Sequence, residues 1–236
     1  MNRQFLRAYK LWDYFLARLC YKQRLARFLG VNLLEIKKYY RELRESGFIE
    51  TMAENSNIYR IPLMDLSSVS FFRAPMLYVI CRIIRPEKVV ETGVERGMST
   101  AFILYALERN SRGRLYSIDW PNQTGEKLDE GKVTGWAIPD GLKQRWLLAL
   151  GASAEKLPPL LADLGKIDLF FHDSDHSYEN MMFEFGAAIA HISAGGIIAA
   201  DDIIDSGAFR DFCRQQQLKN THLFKVGLAR VKKNGA

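Results

Sequence analysis

The stretch FFHDSDHSYE, residues 170–179, puts His172, Asp173, Asp175 and His176 directly after two aromatic residues. Burying so many ionisable groups is costly unless they are paired, hydrogen-bonded or ligated. The stretch is therefore either a solvated loop or the rim of a site. Other acids fall at comparable places. Asp119 closes the apolar run RLYSI, Asp201 and Asp202 close GGIIAA, and Glu91 follows KVV.

The loop ETGVERGMST, residues 91–100, carries the next clue. Gly93 permits a tight turn and a close backbone approach, and Gly97 opens the segment that follows. The spacing is Gly-x-x-x-Gly rather than GxGxxG, and the loop is flanked by acids. Glu91 and Glu95 would repel a pyrophosphate lodged at that helix terminus but suit a ligand carrying an ammonium or a sulfonium. That shifts the expectation from a dinucleotide to S-adenosylmethionine, although two glycines by themselves also serve a plain turn. Asp119, at the end of the next apolar run, can accept both hydroxyls of a ribose, as the equivalent acid does in dinucleotide folds. It can equally serve as a cap.

The elements that must carry these residues follow from the hydropathy pattern. KVVE (88–91), RLYSI (114–118), RWLLAL (145–150), IDLFF (167–171) and GGIIAA (195–200) read as strands. Helices are predicted from Met98 to Glu108, across EKLPPLLADL, from Tyr178 to His191 and from Phe209 to Gln217. HLFKV and LARV, split by Gly227, predict a closing antiparallel hairpin. Strands alternating with helices give an α/β fold: a doubly wound, mainly parallel, seven-stranded Rossmann-like sheet covered on both faces. Ligands in such sheets sit beyond the carboxyl ends of the strands. The residues between Asp119 and the third strand, PNQTGEKLDEGKVTGWAIPDGLKQ, form a long insertion, read as a lid or binding loop with Trp136, Ile138 and Pro139 facing the ligand.

Residues 1–70 read differently and are taken as a separate appendage to a domain spanning 71–236. Apolar positions at Phe5, Tyr9, Trp12, Leu16 and Leu19 have helical spacing. KQRLARFLGV and LLEIKKYYRELRESG predict two more helices, with Gly47 as a stop. FIETM and NIYRI are then expected to pair as a hairpin across AENS, completing a helical or winged-helix pattern. That unit suits packing or dimerisation, and it can also read DNA through its second helix.

The totals narrow the class. A chain of 236 residues, 48% hydrophobic and 25% charged, has the composition of a globular protein. No apolar run is long enough to span a membrane, and the N-terminus lacks the pattern of a signal peptide. Cys20, Cys81 and Cys213 are far apart and form no CxxC, which fits reduced thiols and a cytoplasmic location. The net charge of +6 resides in residues 1–28, where seven basic residues face the single acid Asp13. That segment suits a nucleic acid, an anionic surface or an acidic partner, or is a solvated helix face.

Taken in order, VVETGVERGMSTAFILYAL, LYSID, GWAIPDGLKQRW, IDLFFHDSDHSYENMMFEF and GGIIAADDI resemble a class I S-adenosylmethionine-dependent methyltransferase. They are similar to the O-methyltransferases of the catechol type and of sugars and macrolides, over residues 72–231. The resemblance implies that Glu91 and Gly93 line the methionine end of the cofactor, with Gly97 also among the cofactor-binding residues, and that Ser99 or Thr100 bonds its carboxylate. It also implies that Asp119 holds the ribose and that Ser153 and Ala154 lie near the adenine; Trp120 either packs on the adenine or closes the pocket, or as a large aromatic belongs equally to the core. Asp173 would stand at the pocket floor. With Asp201 and Asp202 it would form an oxygen-rich set suited to Mg²⁺, an ion that eases deprotonation of an acceptor hydroxyl. His176 would be the general base. Where catechol-type relatives carry an Asp-Asn pair this chain has Asp-Asp, so a metal-free site with His176 oriented by Asp173 or Asp175 stands beside the Mg²⁺ reading. The expected activity is methyl transfer to a small-molecule hydroxyl, on a sugar or natural-product intermediate, by a homodimer. The rival is a nucleic-acid-binding methyltransferase or cofactor sensor docking through the basic segment.

Overall fold

The computed structural model describes residues 20–56, 70–120 and 131–232. The expected helix over residues 5–19 and the strand NIYRI lie outside them, as does most of the basic segment. Strands β1 (Lys88–Thr92), β2 (Arg114–Asp119), β3 (Trp146–Leu150), β4 (Ile167–His172), β5 (Ile192–Ala200), β6 (Lys219–Leu223) and β7 (Val226–Arg230) form one sheet. Its order is β3-β2-β1-β4-β5-β7-β6. The first five strands pair in parallel, and β7 pairs antiparallel with both β5 and β6. The chain leaves β1 for β2 on one side and later returns to place β4 on the other. The crevice beyond the ends of β1 and β4 is thus the switch point where α/β sheets bind ligands.

Residues in the central strands alternate between two apolar layers, as a sheet buried on both faces requires. Val89, Leu169, Phe171 and Ile197 face one layer, with helices α4 (Ser70–Ile84) and α5 (Met98–Asn110). Val90, Phe170 and Ile198 face the other, covered by α6 (Ser153–Leu164), α7 (Tyr178–Ile189) and α9 (Ala208–Gln215). A short α8 (Ile203–Ser206) follows β5.

Helices α1 (20–29), α2 (Leu33–Glu45) and α3 (Phe48–Asn55) pack on the α4–α5 side. Asn32 caps α2 by accepting the Leu34 amide at 2.9 Å. Glu42 on α2 accepts from Tyr78 and, at 2.8 Å, from Arg82 of α4. FIETM is not a strand. Phe48, Met52 and Ala53 are buried at helical spacing, and Phe48 stacks on Tyr105 of α5 with ring centroids 4.1 Å apart. The expected hairpin is therefore absent on that side, because the apolar residues of FIETM meet a helix face rather than a partner strand.

The C-terminal hairpin forms as expected, but it turns at Phe224 and Lys225 rather than at Gly227. Gly227 lies within β7, where a Cβ would meet the Phe209 ring at 2.5 Å. Arg230, at the end of β7, donates to the carbonyls of Gly195 and Leu29, each at 3.0 Å, and so ties the hairpin to the last turn of α1.

Candidate functional site

The β1–α5 loop begins at Gly93, with a left-handed φ of +83°. A Cβ there would sit 2.0 Å from the carbonyl oxygen of Asp173. The glycine is needed because the loop after β1 lies directly against the loop after β4. The Asp173 amide also donates to the Thr92 carbonyl at 2.8 Å. Gly97, φ +92°, makes comparable room for the Ile138 side chain, where a Cβ would come within 2.5 Å.

Asp119 sits at the end of β2 and locks this loop. Its Oδ1 accepts the Val94 amide at 3.0 Å, and its Oδ2 accepts the Thr134 hydroxyl at 2.7 Å. The inserted segment is stitched down further: the Gly135 amide donates to Glu95 O at 2.8 Å and the Ala137 amide to Arg96 O at 3.0 Å. Trp136 packs against the core, and Lys132 lies 4.6 Å from its ring centroid. Trp120, next to Asp119, is 51% exposed, which rules out a place in the core. The Gly151 amide donates to Asp119 O, and Ser153 and exposed Ala154 then open α6, so both stand near the end of β2.

Glu91 lies beneath this surface. It is fully buried and accepts three hydroxyls, from Ser99 at 2.7 Å and from Thr100 and Ser117 at 2.8 Å each. Burial pushes its carboxyl up to about 7, against the opposite pull of those hydroxyls and of Arg73. The sequence expectation placed Glu91, Ser99 and Thr100 against the cofactor. In the fold they are bonded to one another, and the Ser99 and Thr100 hydroxyl protons point inward to satisfy the buried acid.

The opening stretch divides in two. His172 is the last residue of β4 and faces inward. It is fully buried, with Nδ1 2.6 Å from Glu184 Oε2. Glu184 also accepts from Thr92 at 2.6 Å, Ser174 at 2.7 Å and Asn180 at 3.2 Å. Burial would raise the Glu184 carboxyl, but its hydrogen bonds, that with His172 foremost, hold it below the usual range. Asp175 and Ser177 serve the start of α7: Ser177 accepts the Asn180 amide, and Asp175 accepts the Ser177 amide and hydroxyl. Asp173 and His176 form the rim, with His176 Nε2 3.9 Å from Asp173 Oδ1.

Arg73 of α4 completes the rim, and sequence reading did not single it out. Its Nη1 donates to Asp173 Oδ1 at 2.9 Å and also to Asp201 Oδ2. Its guanidinium lies 6.0 Å from the centroid of the Phe171 ring. Burial pushes the Asp173 carboxyl well up, Arg73 pulls it down, and Asp201 and Glu91 add to the rise. His176 is held below its ordinary value by burial and by the neighbouring His172.

The expected metal set is not assembled. Asp202 adopts a left-handed φ of +45° and turns to Lys225, whose Nζ donates to it at 2.7 Å. Asp173, His176 and Asp201 do converge, each offering a ligand atom within 4.8 Å of the others. The guanidinium of Arg73 already bridges the two carboxylates, however, and a divalent cation beside it would face like charge. The donor set therefore does not fit Mg²⁺ with Arg73 in place.

Residues 90–203 match the family model of a methyltransferase domain. Among curated proteins, none matches the chain. Solved structures that are similar include the cofactor-bound Rv0187 from MTB, at 21% identity over 79% of this chain and 90% of that one, with a TM-score of 0.54. The O-methyltransferase TomG of Streptomyces achromogenes, involved in tomaymycin synthesis and solved with S-adenosylmethionine, is 18% identical over 78% and 88%, TM-score 0.52. An O-methyltransferase of Bacillus cereus, in complex with S-adenosylhomocysteine, is 16% identical over 84% and 100%, TM-score 0.51. At these identities the likeness is one of fold. Among the described residues, no helix is long and apolar enough to cross a membrane.

Proposed function

We propose that the chain carries a class I S-adenosylmethionine-dependent methyltransferase domain and moves the methyl group to a hydroxyl of a small molecule. One observation carries this reading. The loop held by Asp119 and the rim formed by Asp173, His176 and Asp201 meet at the β1–β4 switch point, joined through the contact of Gly93 with Asp173. A nucleoside ligand on the Asp119 side would thus abut an acceptor on the His176 side.

S-adenosylmethionine supplies, when bound, a methyl group already activated on a sulfonium. The protein then has to place it and to remove one proton from the acceptor. Asp119 would exchange its bonds to Val94 and Thr134 for the ribose hydroxyls, while half-exposed Trp120 covers the adenine with Ser153 and Ala154 beside it. Glu91 contributes from below as a buried negative charge near the sulfonium rather than as a direct contact. On the other side, His176 Nε2 is buried and lacks a hydrogen-bond partner among the described residues. Its lowered pKa leaves it neutral at physiological pH, the form that accepts a hydroxyl proton. Alignment of oxygen, methyl carbon and sulfur supplies much of the remaining acceleration. The acceptor class, a sugar or natural-product hydroxyl, is drawn from the earlier resemblance and agrees with the pathway of TomG.

Calorimetric titration with S-adenosylhomocysteine tests the reading. The wild type should bind, and Asp119→Ala should weaken binding by about 100-fold through loss of two charge-assisted hydrogen bonds. A wild type that does not bind would sink the proposal.

A further inference from the structure

We propose that Arg73 is the resident cation of the acceptor site, holding Asp173 and Asp201 in place and closing the site to divalent metal. The inference rests on the methyltransferase reading for the meaning of the site, but its geometry stands independently. Two carboxylates from the ends of adjacent strands converge, with side chains 15% and 3% exposed, and one guanidinium 12% exposed bridges them. A guanidinium keeps its charge in any protein environment and binds through fixed N–H directions. It therefore supplies the positive charge that convergent acids would otherwise take from an ion, and it cannot be titrated away.

The surroundings hold it there. Arg73 lies on α4, which is anchored to α2 through Glu42 with Tyr78 and Arg82 and packs along α5. The guanidinium lies over the Phe171 ring, 6.0 Å from its centroid. Swinging it out would leave two carboxylates unpaired in a poorly hydrated pocket. With the bridge in place, three polar atoms remain buried at the same spot without a hydrogen-bond partner among the described residues: Arg73 Nε, Asp201 Oδ1 and His176 Nε2. They are one donor, one acceptor and one nitrogen able to take a proton, a set matched to a polar, hydroxylated acceptor. Arg73 is a positioning residue in this scheme: it fixes the carboxylates that orient the acceptor and His176.

The test reads metal binding directly, with Mn²⁺ as probe, by electron paramagnetic resonance on the full chain. Wild type and Arg73→Lys, which keeps a cation, should take up no Mn²⁺ at this site. Arg73→Ala should bind it about tenfold or more tightly than wild type through the freed Asp173, His176 and Asp201. The double variant Arg73→Ala/Asp201→Asn should lose the gain. A merely structural role for Arg73 would not create a metal site. The proposal is overturned if wild type binds Mn²⁺ and Asp201→Asn abolishes that binding, a comparison that holds even if Arg73→Ala fails to fold. It is also overturned if folded Arg73→Ala binds Mn²⁺ no better than wild type. S-adenosylhomocysteine titration of the same samples separates the two readings, because a failed cofactor reading leaves the Mn²⁺ result intact.

Discussion

Replacing Glu91 by glutamine should flatten the pH dependence of stability in a calculable way. Glu91 is fully buried and its carboxyl is raised from 4.5 to about 7. A carboxylate whose folded pKa is raised binds more protons in the native state than in the unfolded chain, so the native state loses stability as pH rises between those values. For this pair of values the loss between pH 5 and pH 8 comes to about 2.5 kcal/mol by proton linkage. Glutamine cannot ionise, so Glu91→Gln keeps whatever constant offset arises from rearranging its bonds to Ser99, Thr100 and Ser117, but not the slope. Urea denaturation of wild type and variant at half-unit steps from pH 5 to 8 reads the difference directly. The variant should gain on the wild type by roughly that amount across the series. Parallel stability curves would refute the claim that Glu91 titrates with its burial uncompensated, and with it the idea that a buried negative charge forms near neutrality beneath the glycine loop.

Two further outcomes follow from geometry. Gly93→Ala meets both a left-handed φ and the Asp173 carbonyl at 2.0 Å, whereas Gly131→Ala, at φ +76°, meets nothing within 4 Å among the described residues. Urea midpoints should therefore show a loss of about 1 kcal/mol for Gly131→Ala and about 3 kcal/mol or more for Gly93→Ala. For His176, whose proton must be off before it can act, kcat/KM should fall on the acid side with a midpoint below the ordinary histidine value of 6.5. His176→Gln should remove that limb and lower kcat by about 100-fold or more, the usual contribution of a general base. An acid limb that persists unchanged in the variant would assign it to another group.

Strands β2, β4 and β5 were legible because each is a short apolar run closed by an acid, and that acid is also what marks the site. Asp119, Asp173 and Asp201 end β2, β4 and β5 or follow them directly, so one pattern located both the sheet and its functional edge. Arg73 was not legible. An arginine in the apolar stretch SFFRAPMLYVICRII reads as an interruption of an apolar helix, and the partners of Arg73 lie 100 and 128 residues away in sequence. Glu184 was hidden in the same way, inside a helix whose apolar neighbours gave no hint of the histidine waiting on β4. The only available signal was the cost of burying either charge alone, which demands an unseen partner. FIETM misled because five residues with aromatic and β-branched members satisfy a strand pattern as readily as a helical one, and only the face of α5 decides between them. Gly227 carried a turn signal that its close approach to Phe209 explains better.

The bonds of Arg230 to Leu29 and Gly195 have a consequence for how the molecule comes into being. Ribosomes deliver the chain from its N-terminal side, so α1 emerges well before β7, and the carbonyls of Phe28 and Leu29 meet Arg230 only once residue 230 exists. Lys225, which holds Asp202, arrives almost as late. Until Val226–Arg230 has cleared the exit tunnel, the nascent protein presents its central parallel strands with one sheet edge open at β5, since β7 has not yet joined it. Completion of the sheet, and of the mouth of its site, thereby waits on synthesis of β7.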